Sequence, residues 1–228
     1  MAIALDQAVV CNANSTAGDD PTNFTTTASV AAGATVVLVV HSNLSASGVT
    51  VGGVAATLDK SQTNTDTSAI WRVHLPSGLG SGGTIAIDFA APPNLVECNA
   101  SSFSGVLDTS PLDQTNSKST FNTQSWSSSS ITPTVANTLV VGYYRSGGAA
   151  DARSTPDAGW TEAHDVAQFG NVVMQYQVVS DTTARNPSGV FATSQSGADQ
   201  IGITVNYREG SAPPAATPQF FSLLGIGG

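Results

Sequence analysis

The sequence predicts an all-β protein: an antiparallel double-sheet β-sandwich of a jelly-roll-like kind, with an internal two-fold sequence repeat and an extended C-terminal tail. Three observations favour this class. Apolar and polar residues alternate along several segments, turns containing Gly and Pro separate these segments, and no segment has sustained helical periodicity with caps. The 228 residues are enough for one large β domain or two small ones.

Four segments have the two-residue period of strands that bury one face. They are Ala69–Leu75, Thr84–Phe89, Met174–Val178 and Ile201–Arg208. In the first of them, the period turns Trp71 inward and leaves Arg72 and His74 on the outward face. Two further segments, Val36–Val40 and Leu139–Tyr144, are almost continuously apolar, which predicts central strands covered on both sides.

The order of these signals recurs in the second part of the chain at an offset of roughly 100 residues. The apolar strand Ala34–Val40 has its counterpart at Ala136–Gly142, and the strand Ala69–Val73 has its counterpart at Val172–Tyr176. A recurrence at a fixed offset indicates two structural units of one kind.

We therefore predict a β-sandwich over residues 1–209 that is formed from two pseudo-repeats, about 23–106 and 124–209. The Ser/Thr-rich segment 107–130 joins them. An alternative is two small sandwiches in tandem. We expect a single double-sheet sandwich built from both parts, because a larger domain buries a greater fraction of its surface.

The C-terminal segment, residues 210–228, departs from the strand pattern. A Pro-rich linker leads to a short apolar tip, which indicates a tether that buries its end against another surface. A neighbouring subunit is the expected surface. The anchoring side chains are Phe220, Phe221, Leu223, Leu224 and Ile226.

The charge argues against two classes of partner. Sixteen acidic residues against seven basic ones give a formal net charge of −9, without a basic cluster. Such a surface repels phosphate backbones and anionic lipid, so neither nucleic acid nor a membrane is an expected partner. The longest apolar run is also far shorter than a membrane span.

The first residues and the cysteines bear on the compartment. The start, MAIALDQAVVCN, has no basic region followed by a long apolar stretch, so we expect no classical secretion signal and synthesis in the host cytoplasm. Cys11 and Cys98 are too few for a disulfide framework and lack zinc-ligand spacing. They are expected to be buried free thiols, although pairing stays open.

No motif with a catalytic mechanism is present, and we predict a protein that is not an enzyme and uses no cofactor. A hydrolase would need a nucleophile, a base and an acid in one place. The histidines are His41, His74 and His164, no Gly-x-Ser-x-Gly elbow exists, and the serines around Phe103 are too common a feature to count. His74 and His164 are expected to face solvent.

Acidic loops raise the question of calcium. Asp19 and Asp20 lie close to Asn14, and Asp108 and Asp113 flank a short turn. Neither group has the spacing of a defined calcium loop, and turn carboxylates often bond to their own backbone. We expect no metal site.

Exposed aromatic residues among polar neighbours would favour carbohydrate binding. Trp126 is the best candidate, and Tyr143 and Tyr144 could flank it. A packed loop anchor is the favoured alternative for Trp126, because large aromatic side chains are mostly buried. Trp71 and Trp160 are expected to belong to the core.

Several motifs follow one another in an order found in a known group of proteins. They are VAAGATVVLVVHS, VTVGGVAATL, TSAIWRVHLP, GGTIAIDFA, ASSFSGVLDTSPLDQTNS, SSITPTVANTLVVGYY and AGWTEAHD. The succession resembles a widespread, mostly uncharacterised group of bacterial and phage β-sandwich modules and covers about residues 23–207. Members occur on secreted surface proteins and on tailed-phage virions. The resemblance implies the sandwich, and the start without a signal favours the virion setting.

The function expected from these observations is structural. We predict a decoration or head or tail accessory protein of a tailed-phage-like virion, anchored through terminal segments to capsid, portal, tail or spike components or to copies of itself. The alternative is a carbohydrate-binding or adhesive module for cell-surface glycans, placed extracellularly or on a cell surface.

Overall fold

The structure is a computed structural model that describes residues 2–15, 19–121, 124–147, 154–167, 171–192 and 199–210. Every helix or strand in these ranges is a β-strand, which confirms the all-β class. The strands are β1 (Ala4–Ser15), β2 (Thr22–Thr25), β3 (Ala34–Ser42), β4 (Ala46–Val51), β5 (Val54–Ala55), β6 (Thr57–Thr63), β7 (Thr67–Leu75), β8 (Thr84–Phe89), β9 (Val96–Ser104), β10 (Leu112–Phe121), β11 (Ser125–Ser127), β12 (Thr138–Ser146), β13 (Ser154–Pro156), β14 (Thr161–Ala167), β15 (Asn171–Val179), β16 (Ser188–Phe191) and β17 (Asp199–Arg208).

The strands form four antiparallel sheets. The first half of the chain supplies a five-stranded sheet of order β1-β9-β3-β7-β6 and a four-stranded sheet of order β2-β8-β4-β5. The second half supplies a five-stranded sheet of order β10-β17-β12-β15-β14 and a three-stranded sheet of order β11-β16-β13. No described strand joins a sheet of the other half. The sequence predicts two sheets shared by both parts, whereas each part builds its own pair.

The two five-stranded sheets pack on each other, so that the sandwiches stand back to back. One apolar cluster combines Val37 and Phe103 of the first sheet with Val141, Met174 and Ile203 of the second. Another cluster fills the space between the two sheets of the first half. The five-stranded sheets are therefore covered on both faces.

The two five-stranded sheets share one strand order, and three of their four strand pairings share one register. In β3 and β7, Ala34 is opposite Leu75, and 104 residues later Thr138 of β12 is opposite Val179 of β15. The same offset relates the pairing of β3 with β9 to that of β12 with β17. Even the register shift that follows Leu58 in β6 recurs after Glu162 in β14. The halves are two copies of one architecture.

This correspondence corrects the boundaries read from the sequence. Ala34 corresponds to Thr138 rather than Ala136. The first set of strands begins with β1 and the second with β10, both earlier than the predicted repeats. Segment 107–130 is not a simple linker, because it contains β10 and β11. Its Ser, Thr and Asn residues suit β10, which is an edge strand whose described side chains are mostly half-buried.

Burial follows from the stacking of the sheets. All residues of β3 and β12 are buried, which confirms the predicted central strands. The period of two is confirmed for β8, where Ile85 and Ile87 are buried. It is incomplete for β17, in which described residues of both faces are buried, because each face meets another sheet. Arg72, predicted to point outward, is half-buried, because this face of β7 is turned towards the second half.

Two predictions concern membranes and the tail. In the part of the chain that is described, no helix is long and apolar enough to cross a membrane. The five predicted tail anchors, from Phe220 to Ile226, lie outside the described residues.

Candidate binding groove and buried polar clusters

A groove of about 330 Å³ lies where both ends of the described chain meet. Ala2 and Ile3 line it from the N-terminal side, and Glu209 lines it from the C-terminal side. Val178 and Val179, at the end of β15, complete its apolar wall. We call it the terminal groove. Its volume lies at the lower end of the range of ligand pockets and leaves room for a large apolar side chain.

One part of the wall of the terminal groove is exposed to solvent, and the other part is buried. The Val178 side chain is 45% exposed, whereas Val179 and Ile3 are buried. An exposed β-branched side chain beside buried apolar neighbours offers apolar surface. Its burial by another apolar group is favourable, because this surface is removed from water. The alternation along β15 explains the exposure, since Val178 points away from the neighbouring apolar cluster of Val179 and Ile131.

Backbone hydrogen bonds fix the C-terminal end at the terminal groove. The amide of Glu209 donates to the carbonyl of Asn137 at 3.1 Å, and the amide of Gly210 donates to that of Gly105 at 2.7 Å. Asn137 also lines the groove, and it adopts a left-handed conformation with φ of 56°. Asn tolerates this region better than other residues with a Cβ atom, which suits it to the turn into β12. Gly210, the last residue that the structure describes, is therefore held at a fixed place.

A first polar cluster lies between the two five-stranded sheets, and His41 is at its centre. The His41 Nδ1 atom is 2.9 Å from Ser68 Oγ, and its Nε2 atom is 3.4 Å from Asp66 Oδ2. The pairing of β3 with β7 places His41 opposite Ser68. His41 and Ser68 are buried, whereas the Asp66 side chain is 27% exposed.

The second half contributes Arg145 to the same cluster. Its guanidinium lies 3.6 Å from Glu97 Oε2 and 3.8 Å from Asp66 Oδ2. At the offset of 104 residues, Arg145 occupies the position of His41. Asp66 therefore approaches corresponding positions of the two halves, and the ion pairs of Arg145 tie β12 to β9 and to the turn before β7.

Burial governs the protonation of His41. Loss of hydration lowers the pKa of His41 to about 4, although the nearby Asp66 carboxylate acts in the opposite direction. His41 is thus neutral at pH 7. The His41 ring and Arg145 in turn hold the pKa of Asp66 below its usual value. Burial also raises the pKa of the Tyr143 hydroxyl, which lies 3.5 Å from Ser68 Oγ.

A second polar cluster ties the halves together elsewhere. Tyr207 donates a hydrogen bond of 2.7 Å to Asp59, and Arg72 donates one of 2.9 Å to the other oxygen of the same carboxylate. The Asp59 side chain is fully buried, and burial raises its pKa despite both partners. Removal of either partner would leave a buried charge without full compensation.

The group of Ser68, His41 and Asp66 resembles a catalytic triad in composition only. Ser68 is fully buried between the two five-stranded sheets, so a substrate carbonyl cannot reach its Oγ atom. The structural role of His41 could not be predicted from the sequence, because its partners depend on the register of the strands. The period of β3 places it on the face that meets the second half.

The other candidate catalytic residues are engaged in packing. Ser101 donates to the Ala8 carbonyl at 2.5 Å, and Ser102 donates to Asp6 at 2.8 Å. His164 is buried and donates from Nε2 to the Ala100 carbonyl at 2.9 Å, so the expectation that it faces solvent is wrong. His74 is half-buried and lies 3.4 Å from Thr35 Oγ1. Both histidines lie on faces that the two halves turn towards each other.

Two of the carboxylates weighed as calcium ligands, Asp20 and Asp113, have partners within the protein. Asp20 accepts a hydrogen bond from the Phe89 amide at 2.9 Å. Asp113 accepts from the Thr134 hydroxyl and amide and from Arg208. Among the residues that the structure describes, no group of three or more His, Cys, Asp or Glu side chains is placed to hold a metal ion.

The three aromatic residues considered for glycan binding lie in the core. Trp126 is 2% exposed, and Tyr143 and Tyr144 are fully buried. Trp126 stacks on Tyr144 with ring centroids 4.9 Å apart, and Phe191 packs beside both rings. A sugar platform needs an exposed ring face, so the assignment of these residues to a glycan site is corrected. The alternative interpretation, a packed anchor, describes Trp126.

Comparisons with known proteins do not identify a relative. No family model matches the chain, and neither a curated protein nor a solved structure does. The function is therefore inferred from the sequence and the geometry.

Proposed function

We propose that this chain is a non-enzymatic structural component, a decoration or accessory protein, of a tailed-phage-like virion. Terminal segments hold it to the particle. The terminal groove serves one part of this attachment, which is the contact between neighbouring copies. The observation that carries the proposal is the position of that groove. Ile3 and Glu209, near the two ends of the described chain, both line it.

The occupant that fits the terminal groove is the C-terminal segment 211–228 of a neighbouring copy. Its apolar tip supplies Phe220, Phe221 and Leu223, which match a wall that includes the exposed Val178. Burial of one such side chain contributes about 1.5–3 kcal/mol. Repetition of the contact around a particle multiplies this modest affinity into firm attachment.

The length of the linker favours a neighbour over the same molecule. Residues 211–219 include Pro213, Pro214 and Pro218, a composition that favours an extended chain. Nine residues at the polyproline spacing reach about 28 Å. The linker starts beside the terminal groove, so an extended linker carries Phe220 away from the groove of its own chain.

The body of the protein suits a passive role in a particle. The large apolar faces of the two five-stranded sheets cover each other, and buried ion pairs join the halves. Described parts of β10, the Ser/Thr-rich edge strand, face solvent. A closed body with polar edges resists association except at its terminal segments.

A peptide of residues 211–228, labelled with a fluorophore, tests the proposal by titration into a chain that ends at Gly210. We expect weak, saturable binding with a Kd in the high micromolar to millimolar range. Val178→Asp should weaken it at least tenfold, because a carboxylate would be buried against the apolar tip. Val54→Asp is the matched control, since Val54 is similarly exposed on β5 and does not line the groove.

Three results would overturn the proposal. The first is that the peptide does not bind. The second is that Val178→Asp and Val54→Asp bind it equally while both melt like the parent. The third is that a monomeric full chain does not bind the peptide, although the shortened chain does. The last result would show that each tail fills the groove of its own molecule.

A further inference from the structure

Two cysteines of the first half lie side by side on neighbouring strands. Ala13 of β1 is opposite Cys98 of β9, and Cys11 is opposite Ala100, so the two cysteines are diagonal neighbours. Both belong to the apolar cluster between the sheets of the first half, which places them on one face. Both are free cysteines, and both are buried.

The strand that carries Cys11 can adapt its position. β1 is an edge strand, paired within its sheet only with β9. Its register shifts between Gln7 and Cys11, and Val10 and Cys11 are both buried although they are consecutive. Diagonal neighbours are normally somewhat farther apart than a disulfide requires. An irregular edge strand can make the small adjustment that brings the sulfur atoms together.

We propose that Cys11 and Cys98 form an intramolecular disulfide when the protein meets a low-molecular-weight disulfide, such as oxidised glutathione. The Cys11 thiolate attacks one sulfur atom of glutathione disulfide and releases a glutathione thiolate. The Cys98 sulfur, as its thiolate, then attacks the Cys11 sulfur of the mixed disulfide and releases the second glutathione. The cysteines lose two electrons and two protons, and glutathione disulfide becomes two thiols.

The surroundings favour this order of attack. Cys11 lies on the edge strand β1, whereas Cys98 lies on β9, which is flanked by β1 and β3. The neighbouring Cys98 thiol also lowers the pKa of Cys11, whereas the Cys11 thiol and burial raise the pKa of Cys98. The thiolate is the reactive form of cysteine, so Cys11 is the attacking sulfur. Both thiols are fully buried, and exchange therefore requires β1 to open at the edge of its sheet.

The bridge would change the stability of the N-terminal strand. It would link residue 11 to residue 98 and thereby hold β1, which leads from Ile3 at the terminal groove, against β9. A particle protein made with reduced thiols could thus be fastened after its release into an oxidising medium. The disulfide itself does not depend on the proposed tail contact.

The test is oxidation of the full chain with glutathione disulfide, both in the native state and during refolding from urea. Readouts are intact mass, alkylation of thiols after denaturation, and a non-reducing peptide map. We expect both thiols to become resistant to alkylation, a peptide that links residues 11 and 98, and a melting temperature higher by about 5–10 °C that reductant reverses.

Cys11→Ala and Cys98→Ala are the matched controls, and each should keep one alkylatable thiol and show no rise. Four results would overturn the proposal. They are two free thiols after both treatments, a stable glutathione adduct, a link between chains, or a bridged form that melts no higher than the reduced one.

Discussion

At the scale of single residues, a neutral histidine joins the two halves. His41 contacts Ser68 across one strand pair, and its ring and the guanidinium group of Arg145 both approach the carboxylate of Asp66. A charged imidazole would lose hydration there and would meet a positive neighbour. Its pKa is therefore lowered, and folding favours the neutral ring.

This histidine makes stability depend on pH. Its pKa is about 4 in the folded state and about 6.5 in the unfolded state, so the unfolded chain takes up the proton first as the pH falls. The contribution is full above pH 6.5 and is lost towards pH 4. Between pH 7.5 and 5 the free energy of unfolding should fall by about 2 kcal/mol through His41 alone.

Urea denaturation of His41→Asn at both pH values measures this contribution. Asn keeps a polar atom near the position of Nδ1 and does not titrate, so the variant should lose about 2 kcal/mol less than the parent chain. His74→Asn is the control for removal of a half-buried histidine. An equal pH dependence in the parent and in His41→Asn would contradict the account.

At the scale of the elements, corresponding strands of the two halves fill the space between their sheets with different residues. Leu38 of β3 corresponds to Gly142 of β12 at the offset of 104 residues. A Cβ atom at Gly142 would come within 2.2 Å of Pro187 Cβ, just before β16. The second sandwich fills with Pro187 the space that the first fills with Leu38.

Gly142→Ala should therefore destabilise the protein by about 2 kcal/mol, because the overlap is with a rigid ring and an adjacent sheet. Gly80→Ala is the control, since a Cβ atom there would contact nothing within 4 Å. Denaturant titration of both variants gives the comparison. A neutral effect at Gly142 would show that the two sheets are less closely packed than described.

The strands of the core are predictable from the sequence, whereas the sheets and the site are not. Continuous apolar runs mark β3 and β12, because both faces of these strands meet apolar layers. β10 escapes notice, since Ser, Thr and Asn dominate an edge strand. The terminal groove depends on Ile3 and Val178, which are far apart in sequence and meet only through sheet order.

At the scale of the whole molecule, the chain resembles a symmetric dimer of one sandwich. β1 contacts β14, and the corresponding pair, β10 and β6, are also in contact. Such reciprocity is typical of an isologous interface with two-fold symmetry. The interface buries Val39 and Ile70 of the first half, which a separate first half would expose.

A chain limited to residues 1–108 should therefore not exist as a folded monomer. Its five-stranded sheet would present an apolar face, and we expect dimers or aggregates in size-exclusion chromatography. Addition of a chain of residues 109–228 should convert these into a soluble one-to-one complex. A stable folded monomer of the first half would contradict the role given to the interface.

Attachment through the terminal segments is the central claim at this scale, and light scattering after size exclusion tests it most directly. The measurement compares the molar mass of the full chain with that of a chain ending at Gly210 over a range of concentrations. The account predicts that the full chain forms larger species and that the shortened chain is a folded monomer. Equal masses for the two chains at every concentration would contradict it.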